Sequence, residues 1–174
     1  MSNDWAEQWG SAEWAQAQST PRGRLETELI EEIRGSQTAV HQMDEAAHRS
    51  LGINGTDGRC LDIIDRRGLV SAGQLATEAG LTTGAVTAVL DRLEAKELVR
   101  RVADPDDRRR ILVEVTEKQR QEAGRLYFPL KAMADPWFDG LSEDDIRLLI
   151  AFNRVSREVN EKRAAQIRAE LEAS

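Results

Sequence analysis

Apolar residues recur at helical spacing along most of this chain, and glycine and proline divide the pattern into segments. A first long helix is predicted up to about Gly52 from one apolar stripe: Leu25, Leu29, Ile30, Ile33, Val40 and Met43. A later helix opens at Thr116 and is expected to kink or break at Pro129.

The last segment predicts a helix of about thirty residues, which Ser142 and Asp145 cap and which continues to about Leu171. Its apolar stripe consists of Ile146, Leu149, Ile150, Val155 and Val159. Such a helix is too long to be covered by a small core. Together with the first long helix it therefore suggests a partner, most simply a second copy of the chain.

The middle of the chain predicts two short helices joined by a tight turn. Ser71 and Gln74 form a capping box that opens the first, and Gly80 ends it because glycine adopts the left-handed conformation without a steric clash. Thr82 caps the second helix. Its buried stripe is Leu81, Val86, Val89, Leu90 and Leu93, and its outward residues are Thr83, Gly84, Thr87, Ala88, Asp91 and Arg92. This order predicts a helix-turn-helix whose second helix is the reader.

A β-hairpin with a charged tip follows the reader helix. Residues 98–102 predict one strand and residues 111–115 its return partner, with Pro105 fixing the turn. The tip carries Asp107, Arg108, Arg109 and Arg110. A carboxylate two residues before an arginine can hold the guanidinium in one orientation, so we assign Asp107 this role toward Arg109.

A reader helix with short outer side chains, followed by an arginine-tipped hairpin, is typical of a winged helix-turn-helix that binds double-stranded DNA. Four residues are assigned to the major groove or its flanking phosphates: Thr82, Thr83, Thr87 and Arg92. Arg109 is assigned to the minor groove. Arg108 and Arg110 are assigned to phosphates or to support of the hairpin, which we call the wing.

These residues resemble the MarR family of transcription regulators. The segment from Asp104 to Arg110, followed by Val113, Val115 and Thr116, is similar to the family's wing signature, and residues 81–99 are similar to its recognition helix. Leu141-Ser142-Glu143 resembles the start of the family's last helix, so the likeness covers roughly residues 25–170. Gln119 stands where the family often has glycine. Since Thr116 and Gln119 form another capping box, we interpret this departure as harmless.

The resemblance implies a homodimeric repressor of a pseudo-palindromic operator, released by a small molecule or by oxidation. The small-molecule effector in this family is often an aromatic acid. We divide the chain into a Trp-rich arm (1–20), an N-terminal dimerisation helix (21–54), the winged helix-turn-helix (55–116) and C-terminal dimerisation helices (117–174). The expected fold is mainly α with a small β-hairpin wing.

The composition adds expectations about charge and about the first twenty residues. The chain has 24 basic and 31 acidic residues and a net charge of −7, so a basic reading edge on an acidic body is expected, with affinity for DNA falling steeply with salt. Trp5, Trp9 and Trp14 predict an arm whose indoles dock on the dimer helices; an indole lining an effector pocket is the alternative.

Other function classes find less support in the sequence. Cys60, early in a helix after Gly58 and beside Arg59, makes a redox-sensing thiol an alternative, although a core cysteine fits its apolar neighbours better. His41, Glu45 and His48 share a helical face, yet form too weak a set to predict a metal site. We expect no cofactor and no enzyme activity, since phosphate loops and nucleophile motifs are missing. A winged-helix protein-interaction module remains an alternative.

The sequence contains no apolar run long enough for a membrane span and no signal-peptide pattern at its start. We therefore expect a cytoplasmic protein with no membrane partner. Its single cysteine also excludes an internal disulfide framework.

Overall fold

The computed structural model describes Gln16 and residues 19–107 and 109–173. Trp5, Trp9 and Trp14 of the predicted Trp-rich arm lie outside these residues, as does Arg108. Six helices are described: α1 (Pro21–Leu51), α2 (Gly55–Arg67), α3 (Ala72–Ala79), α4 (Thr83–Ala95), α5 (Glu117–Phe138) and α6 (Glu143–Glu172). Three strands complete the set: β1 (Val70–Ser71), β2 (Val99–Ala103) and β3 (Ile111–Val115).

The predicted fold class, mainly α with a small β wing, is confirmed. The chain divides into two compact units, residues 1–121 and residues 122–174, which are described separately below. Among the residues described, none of the helices has the apolar length needed to cross a bilayer.

Local capping sets both ends of α1, of which the sequence analysis predicted the one near Gly52. The Thr20 side chain accepts a hydrogen bond from the Gly23 N–H, and Pro21 occupies the first helical position, where a missing N–H costs nothing. Gly52 ends the helix in the left-handed conformation (φ 65°). The predicted long helix and its end near Gly52 are therefore confirmed.

The predicted helix-turn-helix is present, and its helices begin and end at the capping residues that the sequence indicated. Ser71 and Gln74 form both arms of a capping box at the start of α3. Gly80 ends α3 with φ 64°, and the Thr82 side chain accepts from the Ala85 N–H to open α4. These contacts are all local, which explains why they were visible in the sequence.

The wing is part of a three-stranded antiparallel sheet with the order β1-β3-β2. Strand β3 pairs with β2 over five residues and with β1 over two, placing Val113 opposite Val70. The sequence predicted the hairpin and missed β1. A strand of two residues is too short to show alternation, and its partner lies more than forty residues further along the chain.

The core of the first unit joins α2, α3, α4 and the sheet. Its largest fully buried side chains include Ile64, Leu75, Val86, Leu93 and Val113. The predicted buried stripe of α4 is confirmed, with Leu81 packed at the edge of the same core. This packing turns the opposite side of α4 outward.

Two predictions about α5 are corrected. The helix does not break at Pro129 but continues through both Pro129 and Pro136 to Phe138. A proline removes one N–H donor, and the intact turns on either side keep the helix continuous here. The capping box at Thr116 is only half formed: the Thr116 hydroxyl accepts from the Gln119 N–H, but the Thr116 N–H donates to Leu98 O. The buried Gln119 Oε1 has no partner in the described structure.

Among residues 122–173 of the second unit, none is buried within the single chain. Ser142 and Asp145 form the predicted capping box of α6, and the hydrogen bonds from Ser142 lower the pKa of the Asp145 carboxyl. The predicted length of α6 is confirmed at 30 residues. Exposed large apolar residues on α5 and α6 include Phe128, Met133, Trp137, Leu148, Val155, Val159 and Leu171.

Candidate nucleic-acid interface

The outer face of α4 is narrow and carries hydroxyl groups. Thr83, Gly84, Thr87 and Ala88 are all exposed, on the side away from the core. Thr82 uses its hydroxyl oxygen as the helix cap, and the Thr87 hydroxyl donates to Thr83 O at 3.1 Å. The Thr83 hydroxyl has no hydrogen-bond partner in the described residues. Short side chains on this face leave the helix slim enough for the 12 Å major groove.

Arg92, which the sequence assigned to DNA contact, is held by an aspartate from another helix. Its Nε and Nη2 donate to the two carboxylate oxygens of Asp57 at 3.1 and 2.5 Å. Asp57 is 2% exposed, whereas the Arg92 side chain is 47% exposed. The hydrogen bond to Asp57 raises the pKa of Arg92. Arg92 therefore joins α4 to α2, and its Nη1 group and the second N–H of Nη2 can still donate to another partner.

Sequence reasoning missed Asp57 because the third residue of a capped helix is commonly acidic for local reasons. Its backbone N–H does take part in such a cap, since it donates to Asn54 Oδ1 at 2.9 Å. Its carboxylate, however, reaches a residue 35 positions away. No local pattern around Asp57 indicates that contact.

A second brace joins α4 to the wing. Arg101 on β2 donates to Asp91 Oδ1 at 2.6 Å and also to the carboxylate of Glu94. The hydrogen bond to Asp91 is the main cause of the raised pKa of Arg101. The two acidic side chains of α4 that flank its outer face are thus paired with a cation.

The base of the wing tip is organised by Asp104, another residue that the sequence did not single out. Its buried carboxylate accepts from the Asp106 N–H at 2.9 Å and the Asp107 N–H at 3.4 Å. The Arg110 guanidinium lies 3.6 Å from the same carboxylate. Arg110 consequently supports the wing, one of the two roles assigned to it.

The contact predicted for Asp107 is not the one that forms. Its carboxylate accepts from the backbone N–H of Arg109 at 3.1 Å and does not pair with the Arg109 guanidinium. An aspartate side chain is short and reaches the backbone N–H two residues further along the chain, which gives an Asx turn. Asp107 therefore orients the backbone of the tip. The exposed Arg109 guanidinium has no ion-pair partner in the part of the chain that the structure describes.

Cys60 lies in the core. Helix α2 begins at Gly55, so Cys60 is in its second turn, and the premise that it sits at the helix start is wrong. Burial raises the pKa of its thiol, an effect that Arg59 partly opposes. A buried thiol with a raised pKa is a poor nucleophile.

Of the three residues weighed as a metal set, two contact each other and the third packs against α2. His41 Nε2 lies 3.6 Å from Glu45 Oε1. His48 packs its ring against Gly58, where an added Cβ would lie 2.1 Å from His48 Nε2. Within the described residues, no group of three metal-ligating side chains comes together.

Comparisons with known proteins agree with this geometry. The model of the MarR family matches residues 53–111. The chain is 29% identical over 147 residues to YcgE of Bacillus subtilis, an uncharacterised HTH-type transcriptional regulator, spanning 84% of this chain and 96% of YcgE. It is 30% identical over 115 residues to the HTH-type transcriptional regulator MhqR of Bacillus subtilis, spanning 66% of this chain and 79% of MhqR.

A solved structure extends the likeness to the fold. Streptococcus pneumoniae FabT in complex with DNA superposes with a TM-score of 0.54 and 25% sequence identity. The match covers 79% of this chain and 97% of that chain.

The burial of Cys60 predicts slow thiol chemistry. With Ellman's reagent, the folded protein should react roughly a hundredfold more slowly than the same protein in urea. Because the folded pKa is raised, the reaction should still be accelerating at a pH where a free cysteine has already reached its plateau. Rapid labelling of the folded protein near neutral pH would instead favour the redox alternative.

Proposed function

The chain belongs to the MarR family of winged helix-turn-helix transcriptional regulators, and from this premise we propose that it is a homodimeric repressor of a pseudo-palindromic operator. The family and the relatives are DNA-binding regulators and not enzymes, as the sequence analysis predicted. The observation that carries the proposal is the slim, exposed face of α4 next to a wing whose Arg109 has no partner in the described residues.

In this proposal α4 enters the major groove and the wing reaches the adjacent minor groove. Thr83 and Thr87 present hydroxyl and methyl groups that can contact base edges or the thymine methyl. Arg109 supplies the charge for the minor groove, where negative potential attracts arginine. The DNA bound in the FabT structure supports the same class of ligand here.

Exposed apolar residues support the homodimer. Leu148, Val155 and Val159 are spaced i, i+7 and i+11, which places them on one face of α6, and they are 69%, 60% and 61% exposed. A second apolar set is exposed on α1: Leu25, Leu29, Ile30 and Val40. Contiguous apolar surface on long helices is typical of an oligomer interface, and a two-fold axis would present two reader helices to the DNA.

We further propose that a small aromatic acid releases the repressor. The second unit has a cavity of about 600 Å³ lined by Trp137, Phe138, Ile146, Ile150, Arg154 and Arg157, among others. Aromatic walls suit a ring, and either arginine can pair with a carboxylate. The fully buried Cys60 gives no support to release by oxidation. As a regulator acting on DNA, the protein is proposed to be cytoplasmic.

A binding selection tests the proposal directly. The purified protein is mixed with random-sequence duplex DNA, and bound duplexes are recovered at two salt concentrations. We expect enrichment of an inverted repeat whose half-sites lie about one helical turn apart. Binding that is independent of sequence and vanishes with salt would instead favour the protein-interaction module.

The proposed dimer interface on α6 can be tested by substitution. In sedimentation velocity at micromolar concentration, the wild-type protein should be a dimer and Val159→Glu a monomer, because the new charge would be buried in the interface. Asn160→Glu is the matched control, since it adds the same charge about 100° further round α6 and should remain dimeric. A monomeric wild-type protein, or equal behaviour of the two variants, contradicts the proposed interface.

The DNA contact proposed for Arg109 in the wing can be tested in the same way. On the selected duplex at fixed salt, Arg109→Ala should weaken binding by about 1–3 kcal/mol, roughly 5- to 150-fold, while the protein stays folded and dimeric. Arg100→Ala is the control, because the exposed Arg100 already pairs with Glu114 on the neighbouring strand. Equal losses for the two variants would argue against a specific role of Arg109.

A further inference from the structure

A groove in the first unit lies beside the outer face of α4, and of the residues that line it only Arg92 is among those assigned to DNA contact from the sequence. Its volume is about 740 Å³. Residues from three helices line it. They include His41 from α1, Thr56 and Arg59 from α2, and Ala85, Ala88 and Arg92 from α4. None of the residues that line it is acidic.

The cations of the winged helix show which charges are available to a partner. In residues 53–107 and 109–115, most arginines form ion pairs with nearby carboxylates: Arg66 with Asp62, Arg67 with Glu78, Arg92 with Asp57, Arg100 with Glu114, Arg101 with Asp91 and Glu94, and Arg110 with Asp104. In these ranges, Arg59, Lys96 and Arg109 have neither an ion pair nor a side-chain hydrogen bond. Of these three, Arg59 lines the groove.

The second arginine of the groove is held in place. Asp57 occupies Nε and Nη2 of Arg92, which leaves Nη1 available. The Asp57 carboxylate is buried behind this pair, so its charge is already matched by Arg92. The groove thus combines one immobilised guanidinium, one unpaired guanidinium and the Thr56 hydroxyl, all of which can donate to an anion.

We infer that this groove binds a phosphate of the DNA backbone, with Arg59 as the principal ligand and Arg92 as a pre-positioned second donor. The inference rests on the proposed DNA-binding function. Ala85 and Ala88 lie on the outer side of α4 and line the same groove. When α4 lies in the major groove of DNA, the phosphate backbone at the edge of the major groove therefore comes close to the groove of the protein. Arg59 and Arg109 then anchor the duplex from two separate elements, α2 and the wing.

Phosphate contacts fix the register of a protein on DNA and carry no base preference. The site should therefore act on affinity and on its salt dependence, and the sequence selected by the protein should not change. This expectation separates the role of Arg59 from that of a residue that reads bases.

The test compares Arg59→Ala with wild type on the selected duplex over a range of salt concentrations. Loss of one phosphate contact per subunit should weaken binding roughly tenfold at low salt and make the slope of log K against log salt shallower by about 0.9 per subunit. Lys96→Ala is the matched control: it also removes an unpaired cation, but Lys96 does not line the groove, and both its affinity and its slope should equal those of wild type. Thermal unfolding checks that each variant is folded.

A second measurement locates the contact on the DNA. Neutral methylphosphonates are placed one at a time along the backbone of the selected duplex. Wild type should lose affinity at one phosphate beside the major groove of each half-site, and Arg59→Ala should lose clearly less at that same position, where only Arg92 remains as a donor. If wild type binds the duplex but Arg59→Ala keeps both the salt slope and the methylphosphonate response, the inference is wrong and the DNA-binding proposal stands. If wild type selects no duplex at all, both fail.

Discussion

The orientation of the reader helix depends on an ion pair between Asp57 and Arg92. A carboxylate that is almost fully removed from water is costly unless a cation and hydrogen bonds compensate it. Arg92 supplies both, with two N–H groups on the two carboxylate oxygens. The pair therefore couples α4 to α2 in addition to the apolar packing of the core. The same contact sets the position of one guanidinium on the surface next to the outer face of α4.

Charge pairing also explains how an acidic chain can present a basic edge. The net charge is −7, yet several carboxylates around the reader helix and wing, among them Asp57, Asp91 and Asp104, form ion pairs with specific arginines. These paired groups stiffen the unit and contribute little field. The unpaired cations that remain, Arg59 and Arg109 among them, are available to phosphates. Local arrangement of charge, rather than the total, thus determines the character of this surface.

The two units of the chain differ in how they achieve stability. In the first, α2, α3, α4 and the sheet enclose a core of fully buried aliphatic side chains. In the second, none of the described residues is buried within the single chain, and large apolar residues remain exposed along α5 and α6. Burial of that surface by another copy would add the apolar contact that the single chain does not provide. This difference is the physical basis for assigning DNA contact to one unit and assembly to long helices.

Local interactions made the helices, their caps and the helix-turn-helix predictable from the sequence alone. Ser71, Gly80 and Thr82 act on backbone groups within three or four residues, and apolar periodicity identified the buried face of α4. The resemblance in the wing likewise rested on a contiguous motif. Only the tertiary structure could decide which partner each charged side chain takes. Asp57 reaches Arg92 across 35 positions, and Asp104 and Asp107 bind backbone N–H groups of the wing tip instead of the Arg109 guanidinium. The pairing of β1 with β3 likewise depends on contacts between distant segments. Their free energy arises only when the chain is folded, and so leaves no periodic or local trace in the sequence.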